Sequence, residues 1–244
     1  MLRVAYDGTN YHGWQAQDNA ITIEQVLNEA LMKLTGESIE VVGASRTDAG
    51  VHALDNVAVF DSETTIPGEK IMYALQPMLP KDVIIQYSCQ VADDFHPRYC
   101  NTWKTYEYQI DNGKRENPKY SRYSWHVKEA LDIDAMNAAA SYLVGVHDFA
   151  SFCAAGAQVK STIRTIYSCQ VEREGQLVYI QISGNGFLYN MVRIIAGTLI
   201  NVGKGAWKPE RVLEALEAKD RAKAGPTAPA KGLTLQEIQY EEEY

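Results

Sequence analysis

The stretch TIEQVLNEALMKL, residues 22–34, decides the architecture. Ile23, Val26, Leu27, Ala30, Leu31 and Leu34 recur at helical spacing and mark one apolar face. Thr22 and Gln25 fit a capping box at its start, and Gly36 is a natural stop. Upstream, residues 2–6 read as a short strand closed by the turn Asp7-Gly8-Thr9-Asn10. Downstream, residues 39–42 and 56–60 are strand candidates on either side of a polar loop. A second helix is predicted from Pro67 to about Leu79, with Ile71, Leu75 and Met78 inward, and a strand follows at 83–91. The order strand-helix-strand-strand-helix-strand matches a ferredoxin-like unit.

From Pro97 onward the same order roughly repeats. Residues 103–110 alternate as a strand with Tyr106, Tyr108 and Ile110 on one face. Asp132 caps a helix running to about Val144. Residues 166–172 and 177–183 read as a hairpin around Glu174-Gly175. Residues 187–201 form an apolar helix, Pro209 opens another, 224–231 is a loop and 234–240 a last strand. The predicted fold class is α+β: two ferredoxin-like subdomains with antiparallel sheets, residues 1–96 and 97–244, flanking a central cleft where binding sites are usual.

Composition narrows the class. The chain has 244 residues, 46% apolar and 22% charged, which excludes disordered, collagenous and coiled-coil chains. The start MLRVAYDGT has no signal-peptide core, and the longest apolar stretch, 187–202, is broken by Asn190 and Arg193. Cys89, Cys100, Cys153 and Cys169 form no CxxC pair. The expected setting is cytoplasmic and reducing. The net charge of -8 is uneven: residues 1–100 carry 6 Lys/Arg against 14 Asp/Glu. Residues 98–128 hold seven basic residues against three acidic, and 193–231 eight against four. These stretches are either ordinary solvated faces or parts of a patch for a polyanion, whose binding depends on local charge.

The most informative loop is GASRTDAGVH, residues 43–52, which mixes a cation, a carboxylate, a hydroxyl and an imidazole between two strands. Read alone, it is either a functional loop or a turn in which Asp48 bonds backbone amides. Asp48 and His52 are a weak metal pair without a third ligand in reach. Ser45, Asp48 and His52 lack the glycines of a nucleophile elbow.

Seven stretches give the chain a resemblance: YDGTNYHGWQAQ (6–17), SRTDAGVHA (45–53), FHPRYCNTWKTYEY (95–108), GVHDFASF (145–152), TIRTI (162–166), NGFLYNMVRIIAGTL (185–199) and GLTLQEIQY (232–240). In this order, over nearly the whole chain, the sequence resembles the bacterial tRNA pseudouridine synthase A family. Ser45 departs from it, since the family often has glycine there; the added hydroxymethyl is expected to tune the loop.

The resemblance implies isomerisation of uridine to pseudouridine at positions 38, 39 and/or 40 of the tRNA anticodon stem-loop, with no cofactor and no metal. It implies a homodimer with a basic RNA-binding cleft. Asp48 matches the family's catalytic aspartate and Arg193 the arginine that pairs with it. Tyr106 matches the tyrosine that stacks on the target base, and Arg46 would hold the flipped nucleotide out of the stem. Two rival readings are a non-catalytic RNA-binding module of the same fold and a metal-dependent phosphoesterase built on Asp48 and His52.

Overall fold

The structure, a computed structural model, describes residues 1–100, 102–157 and 159–241. In chain order the first elements are β1 (Leu2–Tyr6), α1 (Ile23–Thr35), β2 (Val42–Gly43), β3 (His52–Val59), α2 (Ile71–Leu75) and β4 (Val83–Ser88). Then come β5 (Thr102–Asp111), β6 (Trp125–His126), α3 (Ile133–Ser141), β7 (Gly145–Asp148), β8 (Ile163–Glu174) and β9 (Leu177–Gly184). The chain closes with α4 (Met191–Gly203), α5 (Arg211–Ala218) and β10 (Leu233–Tyr240). The fold is mixed α/β with mostly antiparallel pairing. Two compact units form: Met1–Thr102 with the segment from Thr234, and Trp103–Leu233.

In the first unit β1 lies antiparallel between β3 and β4, β2 pairs antiparallel with β3, and β10 joins parallel to the start of β3. Leu2, Val4 and Val57 of this sheet are fully buried, as are Ile23, Leu27 and Leu31 of α1. Each such side chain withdrawn from water stabilises the unit by roughly 1.5–3 kcal/mol. Helix α1 starts where Thr22 Oγ1 accepts from the Gln25 amide at 3.4 Å, and stops at Gly36 in the left-handed region, φ 77°. Gln25 sends its side chain to Glu29 Oε1, 2.9 Å away, so only half of the expected capping box forms.

The helix predicted over 67–79 is broken into α2 and two 3₁₀ turns, Gly68–Lys70 and Gln76–Met78, because Pro77 has no N–H for a regular turn. Met78, expected inward, is 39% exposed. The strand expected at 39–42 contracts to β2, since the Val41 amide donates to Asn28 Oδ1 of α1 at 2.9 Å instead of to a neighbouring strand. Strand β3 begins four residues before the expected 56, because Ala53 pairs with Tyr6 and with Leu235.

In the second unit β5 runs antiparallel to β9, β9 to β8 and β8 to β7, while the short β6 lies parallel to the end of β5. Tyr108, Ile110, Ile180 and Ile182 are fully buried, as are Met136 of α3 and Ile195 and Leu199 of α4, and α3 packs on both β8 and α4. Every residue of α4 is buried except Arg193 and Asn201. The helix starts at Met191 and not at 187, because Asn190 adopts a left-handed conformation, φ 59°. Strands β6 and β7 were not anticipated, being two and four residues long. Among the described residues no helix is long and apolar enough to cross a membrane.

Candidate active site

The loop before β3 is clamped by one buried amide. Asn56, with no exposed surface, accepts from the Ser45 amide at 3.3 Å and from its neighbour Val57 at 3.0 Å. Its Nδ2 donates to the Ser45 carbonyl at 3.0 Å and to the Tyr6 hydroxyl at 3.2 Å. That hydroxyl lies 2.7 Å from Thr47 Oγ1, so the side chain two residues on is fixed as well.

The segment after β1 holds the loop from the other side. The Trp14 amide donates to the Thr47 carbonyl at 3.0 Å, and the Gly50 amide to the Tyr11 carbonyl at 3.2 Å. Gly13 makes this approach possible: its φ is +88°, and a Cβ there would come within 2.6 Å of the Thr47 oxygen. A Cβ on Gly8 would collide with the Val51 carbonyl. The Val51 amide closes a turn onto the Asp48 carbonyl at 3.1 Å. Asp48 therefore stands half-buried on a backbone pinned at 47, 50 and 51.

Arg46 is exposed, and its guanidinium donates to Gln15 Oε1 at 3.0 Å. His52 is 4% exposed and takes the Gly8 amide on Nδ1 at 3.1 Å, with Asp7 Oδ1 3.2 Å from the same nitrogen. Accepting that N–H requires a lone pair on Nδ1, so His52 anchors the Asp7-Gly8 turn with its ring nitrogen already engaged. Among the described residues no group of three or more His, Cys, Asp or Glu is placed to hold a metal ion.

The other two expected site residues belong to the second unit. Tyr106 on β5 is 7% exposed and meets Phe187 edge-on, ring centres 5.2 Å apart. Arg193, half-buried on α4, donates from Nε to the Ala228 carbonyl at 2.7 Å and from its guanidinium to Asn190 Oδ1 at 2.6 Å. The Ala228 amide returns a bond to the Arg193 carbonyl at 3.1 Å. Tyr108, two residues beyond Tyr106 on the same face, donates to the Pro229 carbonyl at 2.8 Å. Burial pushes its phenol far above the ordinary range, against the lowering effect of the nearby Arg193 charge.

The segment 224–231, expected as a loop, is thus a strap along α4. Gly197 leaves room for it, since a Cβ there would strike the Pro226 carbonyl, and Thr198 Oγ1 accepts from the Gly225 amide at 2.9 Å. A glycine and a threonine inside an apolar helix were the available signal. Arg46 and Asp48 share one loop; Tyr106 and Arg193 share the strand, helix and strap of the other unit.

A profile of the tRNA pseudouridine synthase family matches residues 3–100 and 139–241. The chain belongs to the tRNA pseudouridine synthase family. It is 51% identical over 240 residues to tRNA pseudouridine synthase A of Thermoanaerobacter sp. strain X514, covering 98% of each chain. It is 46% identical over 239 residues to tRNA pseudouridine synthase A of Acetivibrio thermocellus, again 98% of each. It is 47% identical over 240 residues to tRNA pseudouridine synthase A 2 of Clostridium perfringens strain 13, also 98% of each. Pseudouridine synthases are isomerases. Residues 101–138, which include Tyr106, lie between the two segments that the tRNA pseudouridine synthase profile matches.

Proposed function

We propose that the protein converts uridine to pseudouridine at positions 38, 39 and/or 40 in the anticodon stem-loop of tRNA, with Asp48 as the catalytic carboxylate. The observation that carries this reading is the mounting of Asp48 on the clamped loop 45–52. The reaction breaks the N1–C1′ bond, turns the uracil and joins C5 to C1′. C5 loses its proton and N1 gains one, so nothing is oxidised or reduced and no cofactor or metal is required.

An ionised Asp48 serves either as nucleophile toward the sugar or base, or as the base that begins an elimination. A dry pocket raises a carboxyl's pKa unless a cation offsets it, and Arg193 is our candidate for that cation. Its anchoring by Asn190 and Ala228 supports a fixed guanidinium. Tyr106, held edge-on to Phe187, is assigned to stack on the base. Arg46, exposed beside Asp48, is assigned to hold the flipped nucleotide, offsetting an unstacking cost of a few kcal/mol.

We further propose that 1–96 and 97–244 each build a ferredoxin-like subdomain, the second without its closing strand β10, which returns to pair with β3 of the first, and that the protein acts as a cytoplasmic homodimer with a basic RNA-binding cleft. The strand order β4-β1-β3-β2 with α1 and α2 supports the first, and β5-β9-β8-β7 with α3 and α4 the second.

Tritium release from tRNA labelled at uridine C5, with EDTA present throughout, tests the reading. Wild type releases tritium, and Asp48→Asn keeps tRNA binding but loses about 10⁴-fold or more in rate. No release by the wild type, with tRNA bound, would leave a binding module and withdraw the catalytic assignment. Arg193→Ala is expected to lower kcat more than it raises KM; unchanged kinetics would place Arg193 outside the reaction.

A further inference from the structure

The loop 112–124, between β5 and β6, is built around a carboxylate that the proposed chemistry does not use. Asp111 has no exposed surface. Its Oδ1 accepts from the Gly113 amide at 3.0 Å and from Gln176 Nε2 at 2.9 Å, and its Oδ2 from the Asn117 amide at 2.9 Å. Among the described residues it forms no ion pair, so N–H donors hold the charge. A buried carboxylate is costly unless such donors surround it, and here two of the three are backbone groups of the loop itself.

The rest of the loop is tied as firmly. His126 Nε2 lies 2.9 Å from the Gly113 carbonyl, Ser124 Oγ donates to the Tyr120 carbonyl at 2.8 Å, and Lys231 Nζ donates to the Ser121 carbonyl at 2.9 Å. The loop's one acid, Glu116, is engaged by Lys231 at 3.4 Å.

This frame displays cations. Lys114, Arg115 and Lys119 are exposed and form no ion pair among the described residues. Lys119 lies over the Tyr120 ring at 5.8 Å and Arg122 over the Tyr123 ring at 6.0 Å. In a chain of net charge -8 this is a local excess of positive charge, interleaved with aromatic rings. A loop backbone already tied loses little freedom on meeting an anion, and cations interleaved with rings suit a polyanion with π-faced bases better than an acidic protein surface.

We propose that the loop 112–124 is a preformed docking surface for the phosphate backbone of the tRNA substrate, with Asp111 as its positioning residue. The proposal rests on the reading of the protein as a tRNA-modifying enzyme. It goes beyond the family match, whose two segments end at 100 and resume at 139.

The test measures tRNA binding across a salt series, with tritium-release kinetics, on the full-length protein. Each lost phosphate contact should flatten the slope of log K against log salt by roughly 0.7–0.9. The triple variant Lys114→Gln, Arg115→Gln, Lys119→Gln is expected to flatten it by about two and to weaken binding at least tenfold at low salt. The kinetic effect should fall on KM. Lys33→Gln, an exposed cation at the end of α1, serves as the control. An unchanged slope in the triple variant, or an equal change in Lys33→Gln, would overturn the proposal. So would a loss of self-association in the triple variant with tRNA binding intact, which would make the loop a protein contact.

Asp111→Asn is expected to speed hydrogen exchange at the Gly113 and Asn117 amides and to raise KM several-fold. Faster exchange with unaltered KM would remove Asp111 from substrate positioning. Absence of tritium release from the wild type would instead defeat the catalytic reading, which keeps the two failures distinguishable.

Discussion

Loops 45–52 and 112–124 are both shaped by a single buried polar side chain, Asn56 in one and Asp111 in the other, and the two side chains work in opposite ways. Asn56 faces both amides and a carbonyl, so it must donate and accept. Asp111 faces three N–H donors, so an acceptor on both oxygens fits. A neutral amide suits a loop that must place one carboxylate, because a second buried anion near Asp48 would make its ionisation harder. A carboxylate suits a loop that carries cations, because its charge complements theirs.

Substitutions that break this contrast rank by how much space they disturb. The largest effect is expected from Gly8→Ala, whose Cβ must displace the Val51 carbonyl. We expect a loss of about 3 kcal/mol in urea unfolding, together with lowered kcat as the end of the loop that carries Asp48 shifts. Wild-type stability would mean that this contact yields freely. Next is Asn56→Asp, nearly the same shape but unable to donate to Ser45 or Tyr6. A cost of about 2 kcal/mol is expected at neutral pH. Burial raises the new carboxyl's pKa, so the deficit should shrink as the pH falls and the protonated acid regains a donor. A deficit independent of pH would contradict the donor argument.

The smallest effect concerns a third clasp, outside both loops. Asp148 is held below the usual carboxylate range, first by Thr162 at 2.5 Å and then by Lys219 at 3.0 Å. A depressed carboxyl stabilises the fold above its unfolded pKa and loses that contribution as pH falls through the folded one. Asp148→Asn should therefore cost on the order of 1 kcal/mol at neutral pH, with the difference from wild type vanishing in acid below the ordinary carboxylate range. A constant difference down to that range would show that packing, not charge, is lost.

Elements with strong local signals were legible in the sequence. Helix α1 has its apolar stripe, its Thr22 cap and its Gly36 stop, and all three hold. The hairpin of β8 and β9 turns at Gly175, φ 60°, within the expected Glu174-Gly175. What failed depended on partners distant in the chain. No local pattern tells that Val41 gives its amide to Asn28, or that Asn190 turns left-handed before α4. The candidate site divided along the same line. One polar loop marked Asp48 and Arg46 as candidates, and Arg193 stood out as a charge in an apolar helix, but the roles expected of them came from the resemblance. The Asn56 clamp and the strap on Arg193 were not, because a buried asparagine and a Pro-Ala segment look the same in sequence whatever they touch.

The strap has a consequence for mutational screening. The same few residues that cover α4 also hold the Arg193 guanidinium, through Ala228. Side chains at Gly197, or looser backbones around Gly225 and Pro226, would move that cation without touching RNA. A library scored only for tRNA modification would rank these positions beside the site residues proposed above. Scoring the same library for abundance as well would separate them, and conditional alleles that fail only on warming should come from this segment.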